Sequence, residues 1–165
     1  MKSKLFVVFV CAMIAGVFAG CKTVAPPSNS YGRYEIECAG IGTQGSTLVR
    51  IWVWGNERDI TLETLKRYAV HGVIFKGYAA GGNGCTAQRP MATSPALEQE
   101  RANYFTPFFE TDKLYNRYAT EVGGTMDRVR VGNEYKIGSV ISVSKDMLRR
   151  DLETAGIIRG LSTGF

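Results

Sequence analysis

The chain has 165 residues, with 20 basic and 15 acidic side chains and a single histidine. This length fits one domain with a sizeable core. If residues 1–20 are a cleaved leader, the loss of Lys2 and Lys4 leaves 18 basic against 15 acidic residues, a net charge of +3 over 145 residues. These cations are dispersed among the acids, whereas nucleic-acid-binding domains concentrate Lys and Arg on one face. The composition therefore argues against a nucleic-acid partner.

The N-terminus has the pattern of a secretory signal peptide. Lys2 and Lys4 precede an uncharged apolar run over residues 5–18, and the small residues Ala19 and Gly20 follow it. A membrane-spanning helix needs about 20 apolar residues, so this run is too short for an uncleaved anchor helix. We expect residues 1–20 to be a signal peptide.

The segment Phe18-Ala19-Gly20-Cys21 resembles the lipobox of bacterial lipoproteins, with Phe18 in the place of the commoner Leu. The resemblance implies lipidation of the Cys21 thiol, cleavage before it and acylation of the new amino terminus. Such a cysteine is a stable membrane tether, because each buried CH₂ contributes about 0.8 kcal/mol and several chains act together. Lys22 follows the cysteine, at the position where lipoproteins retained in the inner membrane often carry Asp. The resemblance therefore implies the outer membrane, with the domain facing the periplasm or the cell surface.

Two cysteines remain for the folded part of the chain. Cys11 leaves with the signal peptide and Cys21 carries lipid, so Cys38 and Cys85 lie in a compartment that permits disulfides. A bond between them closes a loop of roughly 48 residues, worth about 4 kcal/mol in the chain-entropy model. We predict this disulfide, and two unrelated thiols are the alternative.

The folded domain is predicted to begin with a β-hairpin. Residues 21–33 contain Pro, Ser and Asn and almost no large apolar side chain, which indicates an extended, mobile, lipidated tether before a domain over residues 34–165. Apolar residues alternate with polar ones over residues 34–39, and a β-branched and aromatic run covers residues 48–54. These two runs predict the strands of a first hairpin.

Helices and a second hairpin are predicted to follow. Apolar residues at three- and four-residue spacing predict a helix over residues 59–77. Two Ser/Thr-Pro pairs predict two helices, or one kinked helix, over residues 94–122, ended by a pair of glycines. Strands over residues 126–131 and 135–143 form the second hairpin, and Ser144 caps a last helix.

This order predicts an α+β fold. We expect a two-layer sandwich in which an antiparallel sheet of about four strands, in two hairpins, is covered by helices on one face, with a helical insert between the hairpins. The layout of residues 34–76, with Ala69 and Gly72 facing the sheet, resembles the N-terminal domain of flagellar assembly protein T and related small envelope lipoproteins. That resemblance implies an assembly role and assigns no functional residue.

His71, the only histidine, invites a cysteine-nucleophile interpretation with Cys38 and Cys85, as in cell-wall amidases. That chemistry needs a thiolate beside a base, commonly at a helix N-terminus, and neither cysteine begins a predicted helix. The same three residues would give zinc only three ligands and no CxxC-type spacing. We therefore expect no catalytic residue, no metal and a partly exposed His71. A cysteine-dependent cell-wall hydrolase is kept as an alternative function.

Two further site types lack a required part. The Gly77–Thr86 segment has the glycines of a phosphate-binding loop, but Cys85 stands where that loop needs a lysine, so we expect turns beside a disulfide and no nucleotide. Paired carboxylates are more typical of solvated faces than of a glycosidase cleft, and the chain has two such pairs: Glu35/Glu37 and Glu98/Glu100. No cofactor is expected.

Trp52 and Trp54 share one face of the second strand with Leu48. Core burial is expected, because aromatic side chains bury large areas, and the alternative is a flat platform for a glycan or a protein partner. Together, these observations predict an outer-membrane lipoprotein that is a non-enzymatic binding or assembly module, with an envelope protein or peptidoglycan as its partner. A glycan-binding surface lipoprotein is the remaining alternative.

Overall fold

Four antiparallel strands form one layer of the structure. The computed structural model describes residues 31–82 and 84–160. The predicted signal peptide, the lipidation site Cys21 and residues 22–30 of the predicted tether lie outside the described residues. The strands are β1 (Tyr34–Ile41), β2 (Thr47–Gly55), β3 (Ala119–Val131) and β4 (Glu134–Val143). Their order in the sheet is β1-β2-β4-β3, so the two predicted hairpins are present and the pairing of β2 with β4 joins them.

Helices form the second layer, which confirms the predicted α+β fold. One long helix follows the first hairpin and another follows the second, with a helical insert between the hairpins. The helical segments are α1 (Leu62–Phe75), α2 (Leu97–Glu100), α3 (Ala102–Thr106), a π-helical turn (Pro107–Thr111), a 3₁₀ turn (Leu114–Arg117) and α4 (Lys145–Thr154). None of the helices in this described part has the length and apolarity of a membrane span.

Helix α1 packs closely on the sheet. Thr61 and Thr64 form a capping box at its N-terminus, which satisfies backbone N–H groups that have no partner within the helix. A Cβ atom on Gly72 would lie 2.8 Å from Cδ1 of Ile36 and 3.4 Å from Tyr34, so a larger residue there would displace the end of the Ile36 side chain. The helix therefore covers the face of the sheet on which Tyr34 and Ile36 lie.

The core lies between this face of the sheet and the helices. Val49, Ile51 and Val53 of β2 are at most 3% exposed and point into this core. The helical insert adds a group of fully buried aromatic side chains: Phe105, Phe108 and Phe109. Leu148 and Leu152 of α4 are also fully buried, although the Ser144 hydroxyl makes no capping hydrogen bond to that helix.

Strand β3 begins earlier than predicted. The sequence predicts helix to about Val122, ended by Gly123 and Gly124, but residues 119–122 pair with residues 140–143 of β4. The two glycines have φ angles of 103° and 70° and lie where the register between β3 and β4 shifts. Glycine tolerates these angles, so the pair forms an irregularity within the strand.

The N-terminal boundary of the domain also differs from the prediction. The predicted tether extends to Arg33, but residues 31–33 contact the domain. The Tyr31 ring is stacked on His71 with a centroid distance of 3.6 Å, and the Gly32 amide donates to the Tyr68 hydroxyl at 2.8 Å. The Trp54 amide donates to the Arg33 carbonyl oxygen at 3.1 Å. The packed structure thus begins no later than Tyr31.

The predicted disulfide between Cys38 and Cys85 is present. Cys38 lies in β1, at one edge of the sheet, and Cys85 lies in the irregular segment between α1 and the helical insert. Gly77 and Gly84 have positive φ angles in this segment, consistent with the predicted turns. The bond joins this segment to the sheet across 47 residues of chain.

Replacement of both bonded cysteines by alanine is expected to lower the free energy of unfolding by about 2–4 kcal/mol, because the unfolded chain regains the entropy of an open loop. Urea unfolding followed by circular dichroism measures this change. Reductant should destabilise the wild-type protein by a similar amount and leave the Cys38→Ala/Cys85→Ala variant unaffected. A wild-type protein whose unfolding curve does not respond to reductant would contradict the prediction.

Candidate functional site

The face of the sheet opposite α1 is not covered by any helix of the described residues. Side chains alternate along β2, so that Val49, Ile51 and Val53 point to the core, and Trp52 and Trp54 lie on the other side and are half-buried. We call this surface the open face. Strand register places the following residues on it: Arg33, Glu35 and Glu37 at or beside β1; Leu48, Arg50, Trp52 and Trp54 of β2; Glu134, Lys136, Gly138, Val140 and Ser142 of β4; and Thr120, Val122, Asp127, Val129 and Val131 of β3.

The indole of Trp52 lies over Gly138. The two residues are opposite each other in the β2–β4 register. A Cβ atom on Gly138 would lie 2.4 Å from Cε3 and 2.7 Å from Cδ2 of Trp52, so the ring crosses the space that a side chain there would fill. The indole therefore packs on the sheet backbone, which holds the ring in place while part of it stays accessible.

Ion pairs on the open face connect strands that are not neighbours. Lys136 of β4 contacts Glu35 of β1 at 3.0 Å, across β2. Because Lys136 is opposite Trp54 and Glu35 is opposite Trp52, this pair lies between the two indoles. The Lys136 ammonium is 4.6 Å from the Trp54 ring centroid and 5.0 Å from that of Trp52, within cation–π range.

Two further ion pairs surround the indoles. Arg33 contacts Glu134 at 3.1 Å, and its guanidinium is 4.6 Å from the Trp54 ring centroid. Arg50 pairs with Asp127 across β4, and its guanidinium is 5.7 Å from the Trp52 ring centroid. Exposed ion pairs of this kind contribute about 0–1 kcal/mol each, so they exchange their partners at little cost.

The charges of the open face nearly cancel. Three cations and four carboxylates surround the indoles: Arg33, Arg50 and Lys136, and Glu35, Glu37, Asp127 and Glu134. A face that selects a polyanion or a polycation carries a large excess of one sign. The open face instead combines an apolar aromatic centre with many hydrogen-bonding groups.

The structure corrects the preferred interpretation of Trp52 and Trp54. Core burial was expected for both, but the sheet buries the alternate residues of β2 and leaves the indoles on the uncovered side. The alternative, a binding platform, requires such an uncovered face and stays a prediction. The flanking residues Lys136 and Gly138 were not predicted, because their proximity follows from the pairing of β2 with β4.

The expectation of a partly exposed His71 is wrong. The side chain is buried in α1, and both ring nitrogens have partners. Nδ1 lies 2.8 Å from the Tyr34 hydroxyl, and Nε2 lies 3.3 Å from a carboxylate oxygen of Glu98. A carboxylate only accepts, so the Nε2–H donates to Glu98 and the Tyr34 hydroxyl donates to Nδ1. No periodic pattern predicts this contact, because Glu98 lies in the helical insert, distant in sequence from α1.

Burial controls protonation around His71. It lowers the pKa of His71, and the hydrogen bond to Glu98 opposes this effect only in part. Burial also raises the pKa of the Tyr34 hydroxyl, with a further contribution from the Glu98 charge, so that Tyr34 stays a donor. Tyr31 covers the His71 ring, and its pKa is raised by burial and by Glu98.

The cysteine and histidine residues do not form a nucleophile–base pair. Cys38 and Cys85 are bonded to each other, and the His71 nitrogens face Tyr34 and Glu98. No group of three or more His, Cys, Asp and Glu side chains within residues 31–82 and 84–160 could hold a metal ion. One carboxylate of each predicted pair has a partner: Glu98 contacts His71, and Glu35 contacts Lys136.

Comparisons of the whole chain with protein-family models, with curated proteins and with solved structures find no match. The site is therefore interpreted from its own geometry.

Stability is expected to fall as the pH is lowered from about 7.5 to about 5.5, because the unfolded chain takes up a proton at His71 that the folded chain resists. The pKa of His71 is lowered from an ordinary value of 6.5, so the loss begins near that pH and continues below it. His71→Gln removes the titrating ring and should flatten this dependence, although the variant is less stable at pH 7.5. Urea unfolding at several pH values measures both effects.

The titration of the Glu63 carboxyl group does not overlap with this pH range. Its pKa is lowered below 4.5, chiefly by the hydrogen bond from Asn116, so its contribution is lost only at more acidic pH. The other charged and titratable groups near His71 are Tyr31, Tyr34, Glu98, Arg67 and Lys76. An equal pH slope in the wild type and in His71→Gln would contradict the assignment to His71.

Proposed function

We propose that this protein is a lipid-anchored, non-enzymatic binding module of the bacterial cell envelope, and that the open face is its contact surface. Cys21 carries the lipid at the outer membrane, and the domain faces the periplasm. The partner is an envelope protein or peptidoglycan. No catalytic step, metal or cofactor is part of the proposal.

One observation supports the choice of the open face as the contact surface. The chain has two tryptophans, and both are half-buried on the only face of the described sheet that no described helix covers. A domain of this size buries large aromatic side chains in its core where it can, as it does with Phe105, Phe108 and Phe109. Trp side chains kept at the surface are enriched in binding interfaces. The open face is thus the best candidate for molecular contact.

The proposed location has separate support. The lipobox resemblance at Cys21 and the apolar run before it are sequence features. The disulfide between Cys38 and Cys85 fits an oxidising compartment, because such bonds are rare in the reducing cytosol. The resemblance to flagellar assembly protein T implies that the binding function serves envelope assembly.

The cysteine-dependent hydrolase has less support. It requires a free thiolate close to a base, whereas both cysteines of the domain are in the disulfide and both His71 nitrogens have other partners. Activity of this kind would need reduction of the bond and a rearrangement around His71. The binding function requires neither.

Labelled palmitate is expected to be incorporated into the wild-type protein in cells and to be absent from Cys21→Ser. Envelope fractionation should place the wild type with the outer membrane. The Cys21→Ser variant should lack the label and leave the membrane fraction or keep its leader, because the anchor requires the cysteine thiol. Cys11→Ser is the matched control and should leave incorporation unchanged. Equal label in Cys21→Ser and in the wild type would refute the anchor.

A photoreactive residue on the open face is expected to crosslink to the partner in living cells. Position 129 is suitable, because Val129 is 49% exposed beside Lys136 in the register. Position 114 is the matched control, because Leu114 is 38% exposed on the helical insert. A product from position 129 that disappears on replacement of Trp52 and Trp54 by Ala supports the proposed surface. Products of equal yield from both positions would argue against it.

A further inference from the structure

We propose that the open face binds an uncharged oligosaccharide, which lies along β2 across Trp52 and Trp54. This inference rests on the proposed function and names the ligand class of the same surface. It follows from four properties of the open face: the spacing of the indoles, the hydrogen-bonding groups beside them, the near cancellation of charge and the poor fit to a protein interface.

The indoles provide the apolar contacts that a sugar chain requires. A pyranose ring has a face of C–H groups that stacks on an aromatic ring, while its hydroxyls point outward. Trp52 and Trp54 are two residues apart on one strand, so their positions are about 7 Å apart along β2. Trp52 is supported from below by the Gly138 backbone, and a sugar that displaces the Lys136 or Arg50 cation from over the ring would meet a surface that is already ordered.

The charged groups provide partners for the sugar hydroxyls. The Lys136–Glu35 pair lies between the two indoles, where a chain stacked on both would pass. Carboxylate oxygens accept from hydroxyls, and ammonium and guanidinium groups donate to them. The Glu35 and Lys136 side chains are 50% and 24% exposed, so they reach solvent-side ligands. Because exposed pairs contribute little to stability, their groups form hydrogen bonds to a ligand at little cost.

The balance of charge favours an uncharged ligand. Three cations and four carboxylates leave a formal excess of one negative charge on the open face. A polyanion such as an acidic glycan, a nucleic acid or an anionic lipid surface gains affinity from an excess of cations, which this face lacks. An uncharged saccharide binds through stacking and hydrogen bonds and does not require such an excess.

A protein partner fits this surface less well. The centre of a protein–protein interface is water-excluded and depleted of charged residues. Here Lys136 and Glu35 lie between the two indoles, and Arg33 and Arg50 lie within 6 Å of the ring centroids. Covering these groups with an apolar protein surface would cost desolvation of several charges. A hydroxyl-rich ligand keeps each of them hydrogen-bonded.

Tryptophan fluorescence of the purified, full-length protein tests the proposal. Both tryptophans of the chain lie on the open face, so the emission reports on this surface without background. The probes are cellohexaose and the pentamer of N-acetylglucosamine, both uncharged, and polygalacturonate, which is anionic. We expect a saturable change in emission with at least one uncharged probe, little effect of salt and no saturable change with polygalacturonate.

Variants assign the binding to the site. Trp52→Ala should weaken binding about tenfold or more, with Trp54 still reporting. Lys136→Met keeps the apolar stem but removes the charge, and should weaken binding severalfold. Leu114→Ala, on the helical insert, is the matched control and should bind as the wild type does. Circular dichroism and thermal unfolding should show that Trp52→Ala stays folded; if it does not, Lys136→Met carries the test.

The outcomes separate this inference from the proposed function. Saccharide binding that is unchanged in both Trp52→Ala and Lys136→Met overturns the site. If neither uncharged probe binds but a protein is crosslinked from position 129, the proposed ligand class is wrong. The open face then remains the proposed contact surface. Failure of the probes and of all crosslinking from position 129 overturns both. Saturable binding of polygalacturonate alone overturns the choice of an uncharged ligand.

Discussion

Close packing of α1 on one side of the sheet is the constraint on which the rest of the structure depends. Gly72 lets the helix lie against Ile36 and Tyr34 without displacing the end of the Ile36 side chain. This contact fixes which face of β2 enters the core, because a strand buries alternate residues. Val49, Ile51 and Val53 are buried as a result, and Trp52 and Trp54 are left on the other side. The candidate site is thus a direct consequence of how the core is built.

Strand order then decides the surroundings of the indoles. With β4 beside β2, Gly138 lies under Trp52 and Lys136 lies opposite Trp54. The same order brings Glu35 within reach of Lys136 across β2. Aromatic and charged groups therefore alternate on one surface, and each charged pair is weak enough to exchange for a ligand.

The remaining polar contacts hold the ends of the domain in place. Tyr31 closes over His71, whose two nitrogens join β1 to the helical insert through Tyr34 and Glu98. The disulfide joins β1 to the segment after α1. Among the described strands, β1 lies at an edge of the sheet and pairs with β2 alone. These contacts compensate for the pairing that an edge strand lacks, and they hold residues 31–33 against the domain.

Local patterns were enough to predict the hairpins, the main helix, the helical insert and the faces of β2, because side-chain periodicity and turn residues act over a few neighbours. They also identified Trp52 and Trp54 as sharing a face, and Cys38 and Cys85 as a bonded pair. They could not decide which face of β2 is buried, since both faces carry apolar side chains. They also predicted a partly exposed His71 and placed the end of the insert too late, because Glu98 and residues 140–143 are distant in sequence. Only the tertiary structure, by pairing β2 with β4 and by seating α1 on one side, determined that the tryptophans face outward among charges.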